Sequence, residues 1–182
     1  MRYAQIRSMD ISNGEGIGVA LFTQGCDKHC VGCFNPETWD FKAGKEFTEE
    51  TQQTILQLLD QPHITRFSLL GGEPLAKQNR PQLARFLLNE VRFRHPKIKI
   101  WVWTGYTWDQ LMKEYDQPDE EYYKDLSAQA LAAILGNVDV LIDGPFIQEE
   151  KDITLKWRGS RNQRVIDVQQ SFIQGKVVLY TE

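Results

Sequence analysis

Cysteine and histidine are scarce in this chain of 182 residues, with three of each. All three cysteines fall between positions 26 and 33. An odd number packed this closely makes no disulfide framework, because bridging near neighbours constrains almost no chain. Long apolar runs are missing too. Stretches such as Val19-Ala-Leu-Phe22 fall far short of the roughly 20 residues that cross a bilayer, so no membrane association is expected. The opening residues Met1–Asp10 lack the apolar core and cleavage site of a secretory signal, which points to the cytoplasm. Nor is there an excess of positive charge. With 25 acids against 21 bases the formal net charge is −4, which argues against broad binding to nucleic acid. What is present is ordinary globular usage, 41% hydrophobic and 25% charged, in a length that suits one domain over residues 1–182. In a reducing compartment, clustered thiols point to metal binding or redox chemistry.

Periodicity supplies the organisation. Gly18–Gln24, Arg66–Leu70, Lys97–Trp103 and Val138–Ile142 read as strands, the first running into the cysteines and the second ending at Gly71-Gly72. Helices are expected over Glu49–Asp60 behind a Thr48 N-cap and over Arg80–His95, with shorter ones near Trp108–Tyr115 and Ser127–Leu135. A basic loop, Lys156 to Arg164, precedes two short strand candidates, Arg164–Val168 and Lys176–Tyr180. The acidic residues Asp116, Asp119, Glu120, Glu121 and Asp125 read as a solvated loop, and Trp101 and Trp103 as sheet packing.

Strands alternating with helices predict an α/β fold with a parallel sheet. The chain is shorter than the roughly 250 residues of an eight-unit barrel, so an open or partial (β/α) barrel with about four or five core strands is expected. The unusual residues then fall together. Cys26–Cys33, Gly71–Pro74, Thr104–Tyr106 and Asp143–Pro145 each follow the C-terminal end of a predicted strand. That is the edge where parallel α/β folds bind ligands.

The segment Gly25-Cys26 to Cys30 to Cys33 has the spacing C-x3-C-x2-C. Three thiolates in so short a loop suit a soft metal centre, an iron–sulfur cluster or zinc. Structural zinc takes four protein ligands, and no fourth cysteine exists, which leaves His29, His63 or His95 as the only soft supplements. His29, Asp27 and Lys28 are read as ordinary loop residues, the last two solvated. Three protein ligands leave one coordination position for an external molecule.

This loop, followed by Gly71-Gly72-Glu73-Pro74, resembles the radical S-adenosylmethionine superfamily. Within it, Cys33-Phe34-Asn35-Pro36-Glu37-Thr38-Trp39, Leu70–Leu75, Trp103-Thr104-Gly105-Tyr106, Asp143-Gly144-Pro145-Phe146, Trp157-Arg158-Gly159-Ser160 and Asn162-Gln163-Arg164 resemble the family of anaerobic ribonucleotide reductase activating proteins. The likeness runs from about Arg2 to Val168. It implies a partial, open parallel (β/α) barrel of the radical SAM type, with Cys26, Cys30 and Cys33 holding three irons of a 4Fe–4S cluster and S-adenosylmethionine chelating the fourth. It implies reductive cleavage to a 5′-deoxyadenosyl radical, which takes a hydrogen from a glycine of the anaerobic ribonucleoside-triphosphate reductase large subunit. An electron donor such as flavodoxin or ferredoxin is implied with it. The implied cofactor-binding residues are Gly32, Cys33, Phe34, Gly71, Gly72, Glu73, Thr104, Asp143 and Arg158, with the two strand-end glycines admitting the methionine moiety. Many superfamily members carry an aromatic residue just before the third cysteine; here Gly32 stands there, and Phe34 follows the cysteine. Arg158, Arg161 and Arg164 are expected to rim the opening through which the partner enters. The competing readings are a pyruvate formate-lyase activase, a small deazapurine synthase, or a non-catalytic zinc-binding interaction module.

Overall fold

The computed structural model describes residues 1–115 and 125–181. Its frame is one open seven-stranded sheet in the order β3-β1-β2-β4-β5-β6-β7. The inner strands are β2 (Gly18–Thr23), β4 (Arg66–Gly71), β5 (Lys99–Trp103) and β6 (Val140–Asp143), and they run parallel. Around them lie β1 (Arg2–Asp10), β3 (Lys45–Glu46) and β7 (Arg164–Asp167), each paired antiparallel. The expected α/β class and four-strand parallel core are therefore present, but the sheet as a whole is mixed. No helix among the described residues is long and apolar enough to cross a membrane.

Side chains alternate across each strand, and the two faces carry different loads. Val19, Leu21, Phe67, Leu69, Ile100, Val102 and Leu141 face a single large core. That core is closed by α1 (Glu49–Leu59), α2 (Arg80–Phe86), α4 (Trp108–Tyr115) and α5 (Leu126–Leu135). The helix starts are set by side chains. Thr48 accepts from the Thr51 N–H at 3.3 Å and Asp125 from the Ser127 N–H at 2.8 Å, each satisfying a donor that the helix cannot. After α2 the chain continues through a π turn, Leu87–Val91, into α3 (Arg92–Arg94), so the expected Arg80–His95 helix is continuous in direction but not in winding.

On the opposite face Ala20, Phe22 and Leu70 form one small apolar group, and Trp101, Val140 and Ile142 another. Among the described residues no helix contributes to either group. Arg66, fully buried, spans the lower part of this face, with a guanidinium 3.3 Å from Asp10 and further bonds to Ser68 and to carbonyls of the β1–β2 loop. The aromatic residues Trp157 and Tyr180 pack on Trp101 at 4.8 and 5.3 Å between ring centres.

Three expectations change. The first strand is β1, not Gly18–Gln24. Lys176–Tyr180 is no strand; it touches β7 through one isolated bridge, Ile166 to Leu179. Between them lies an unexpected helix, α6 (Val168–Gln174), capped by Asp167 and ended by Gly175 in the left-handed conformation. The acidic stretch lies outside the described residues except for Asp125.

Candidate cluster and cofactor site

A cleft of about 470 Å³ opens on the uncovered face at the C-terminal edge of β2, β4 and β5. Cys26, Cys30, Cys33, Phe34, Gly71, Gly72, Glu73, Thr104 and Arg158 all line it. Four segments that are distant in sequence thus meet at one edge. Gly32 and Asp143 are not among the lining residues.

The three thiols are free. Cys26 is buried, and burial pushes its thiol above the ordinary value; a metal's charge at the sulfur would favour the thiolate. Backbone donors already face the sulfurs: the Lys28 N–H lies 3.5 Å from Cys26 Sγ and the Asn35 N–H 3.4 Å from Cys33 Sγ. The loop is anchored from behind, where the Gly25 and Cys26 N–H groups donate to the Thr38 and Trp39 carbonyls at 2.8 and 3.0 Å. Among the described residues no three His, Cys, Asp or Glu side chains converge enough to hold one metal ion. A cubane makes a different demand, since each thiolate takes its own iron. Thiols on a short, anchored loop with N–H donors at the sulfurs fit that group.

Glu73 is buried at 1% exposure and organises the backbone. Its Oε1 accepts from the Leu75 N–H at 2.9 Å and the Thr104 hydroxyl at 2.7 Å, and its Oε2 from the Gly105 N–H at 2.7 Å. Burial lifts its carboxyl to about 7, against the pull of those donors and of Lys28. The Thr104 hydroxyl is committed to Glu73 and accepts the Tyr106 N–H at 3.1 Å. These contacts tie the ends of β4 and β5 together.

Gly71 and Gly72 each leave room for neighbouring backbone. Gly71 sits at φ +106°, where a Cβ would lie 2.7 Å from Phe22 backbone. A Cβ on Gly72 would lie 2.4 Å from the Gly25 carbonyl oxygen. Both glycines line the cleft, but their missing side chains make room for the cysteine loop and β2.

Asp27 is exposed, as expected, whereas Lys28 is partly buried, and both make contacts across the cleft edge. The Lys28 ammonium lies 3.3 Å from the centre of the Tyr106 ring, and the Tyr106 hydroxyl donates to Asp27 at 2.9 Å. This bridges the cysteine loop to the end of β5. Asp143 is also otherwise occupied. Its oxygens accept from the Trp108 N–H at 2.7 Å and from Arg164 Nε at 3.1 Å, so it caps the start of α4 and pairs with a cation. Arg164 is not among the residues that line the cleft. Arg158 lines the cleft and donates to the Gln163 carbonyl at 2.8 Å; Arg161 is exposed, 3.9 Å from Asp152. Gly32, at φ +71°, backs onto Gln148. Phe34 packs on Phe146 at 5.0 Å between ring centres.

Residues missed from the sequence also line the cleft: Arg7, Ser12 and Asn13 from β1 and its following loop, and Leu155 with Trp157 from the loop before β7. Recognising β1 would have brought in the first three. Trp103 lines the cleft as well and donates to the Trp157 carbonyl at 2.6 Å, so it is more than sheet packing.

Comparison with known proteins agrees with this geometry. Residues 12–166 match the family model described as a 4Fe-4S single cluster domain. Anaerobic ribonucleoside-triphosphate reductase-activating protein of Haemophilus influenzae is 40% identical over 90% of this chain and 96% of its own length. The proteins of that name in Escherichia coli K12 and in Enterobacteria phage T4 are 38% and 36% identical, each over 91% of this chain and over 97% and 93% of their own lengths.

Proposed function

The chain belongs to the 4Fe-4S single cluster domain family and to the anaerobic ribonucleoside-triphosphate reductase-activating proteins within it, and from that premise we propose that it is a radical S-adenosylmethionine enzyme that installs a glycyl radical in such a reductase. The observation that carries the proposal is the meeting of three free thiols, the Gly71-Gly72-Glu73 turn and the end of β5 in one cleft at the C-terminal edge of parallel strands. Cys26, Cys30 and Cys33 would hold three irons of the cluster and leave the fourth to the amino and carboxylate groups of S-adenosylmethionine. Bound there and reduced, the pair supplies a 5′-deoxyadenosyl radical able to take a hydrogen from a glycine Cα.

The protein's own work is placement. Glu73 fixes the turn after β4 and the start of the β5 loop through three hydrogen bonds, which holds the backbone around the cofactor. Phe34 with Phe146, together with Trp103 and Trp157, presents apolar surface that keeps water from a radical. Arg158 offers a cation toward a carboxylate. The whole chain serves as one domain, its open sheet a partial barrel of the radical SAM type whose uncovered face admits the partner's glycine. A cytoplasmic flavodoxin or ferredoxin suits the electron supply.

The test is anaerobic. Protein reconstituted with iron and sulfide should bind about four irons per chain. Incubated with S-adenosylmethionine, a reductant and the reductase, it should give the electron paramagnetic resonance signal of a glycyl radical, and Cys30→Ala should give none. A radical formed at the normal rate by the Cys30→Ala protein would overturn the assignment.

A further inference from the structure

Trp39 carries an indole N–H that is buried and finds no acceptor among the described residues. Of the buried side-chain polar atoms left in that condition, it is the only one whose residue lines the cleft. A buried donor left unpaired forfeits its hydration with nothing in return, so a native site normally supplies an acceptor. The ring is held to the cysteine loop on two sides. Its carbonyl accepts the Cys26 N–H at 3.0 Å, and its face packs on His29, between the first two cysteines, at 4.7 Å. It also ends the short helical turn Pro36–Thr38, preceded by Asn35, whose N–H already points at Cys33 Sγ.

We propose that the Trp39 indole N–H donates to a sulfur of the iron–sulfur cluster, a thiolate or an inorganic sulfide, and so raises the cluster's reduction potential. This rests on the cluster reading above. The physical ground is that reduction adds negative charge to the sulfurs, and a donor aimed at them stabilises the reduced form more than the oxidised one. The two backbone donors at Cys26 and Cys33 act in the same sense, and Trp39 adds a side-chain donor that can be removed.

Trp39→Phe keeps an aromatic ring for His29 to pack on, though a smaller one, and removes the indole N–H. Reconstituted without S-adenosylmethionine, it should bind the wild-type amount of iron but titrate at a more negative midpoint potential, followed by electron paramagnetic resonance. An unchanged potential at equal iron content would overturn the role of Trp39 while leaving the cluster reading intact. If wild-type protein itself bound no iron, both would fall. A second measurement needs no variant. In wild-type protein grown with indole-15N tryptophan, pulsed electron paramagnetic resonance of the reduced cluster should show a weak 15N coupling. No coupling, or one that appears only after S-adenosylmethionine is added, would overturn the proposal.

Discussion

Gly72→Ala puts a methyl group into the joint between β4 and the cysteine loop. The new Cβ would stand 2.4 Å from the Gly25 carbonyl oxygen and 3.0 Å from that of Thr38, against an ordinary contact of 3.4 Å or more. The gap must therefore widen by about 1 Å at its tightest point. Neither neighbour gives easily, because both are backbone, and the same Gly25 oxygen accepts the Glu73 N–H at 2.7 Å. Widening stretches that bond out of range, a loss of about 0.5–1.5 kcal/mol, on top of about 1–3 kcal/mol for overpacking. A total of about 1.5–4.5 kcal/mol lowers the melting temperature by roughly 3–18 °C for a chain of this size. Since Gly25 precedes Cys26, iron retention should fall along with stability. Thermal unfolding of the apoprotein and iron content after anaerobic reconstitution read the two effects. Gly105→Ala is the matched control. There a Cβ meets Lys28 Cγ at 2.7 Å, and relief shifts a side chain off the Tyr106 ring rather than moving backbone, so the loss should be smaller than at Gly72. If Gly72→Ala kept its melting temperature and its iron and lost only affinity for S-adenosylmethionine, the glycine would face the ligand and the steric argument would be wrong.

Glu73 should make apoprotein stability fall as pH rises from about 4.5 to about 7: across that window the native state keeps a proton that the unfolded chain has released. The slope is at most about 1.4 kcal/mol per pH unit, and urea unfolding of Glu73→Gln beside wild type should show it flattened. Asp143→Asn should weaken the Arg164 pair and the start of α4, costing about 1–3 kcal/mol in chemical unfolding while iron content stays normal; unaltered stability with weakened cofactor binding would restore Asp143 to the cofactor. Arg161→Glu should slow activation of the reductase, more at low salt, with uncoupled cleavage of S-adenosylmethionine unchanged, whereas Arg158→Ala should impair both. Equal rates for the Arg161 variant across ionic strengths would make that residue a plain surface charge.

The four strand ends were readable because each inner strand carries an apolar run that gives way to a glycine, threonine or aspartate. β1 was not, for the opposite reason. As an outer strand it exposes Arg7, Ser8 and Met9 and alternates poorly, so nothing in Arg2–Asp10 announces a sheet residue, and its cleft-lining Arg7 went unread with it. α6 did leave signals, an aspartate before it and a glycine after, but with only seven residues it offers less than two full turns of periodicity. The site divides similarly. Cysteine spacing and the Gly-Gly-Glu turn pointed to one place. What the sequence could not show was which polar groups were already taken: Asp143 by Arg164 and α4, Thr104 by Glu73, Lys28 by Tyr106. Pairings across 20 to 80 residues of chain leave no local trace.

The alternation on the inner strands has a consequence for how this chain can change length. Along β4, Phe67 and Leu69 point into the helix-covered core while Arg66, Ser68 and Leu70 serve the uncovered face, and β2, β5 and β6 match it in register. Substitutions at alternate positions are thus answered by different neighbours and can accumulate independently. Insertion or deletion of a single residue is another matter. It would exchange the two sets at a stroke, carry the Arg66 guanidinium into the apolar core and displace Gly71 from Phe22. Length variation in descendants of this chain should accordingly be confined to the connections, while the strands admit replacement but no slippage.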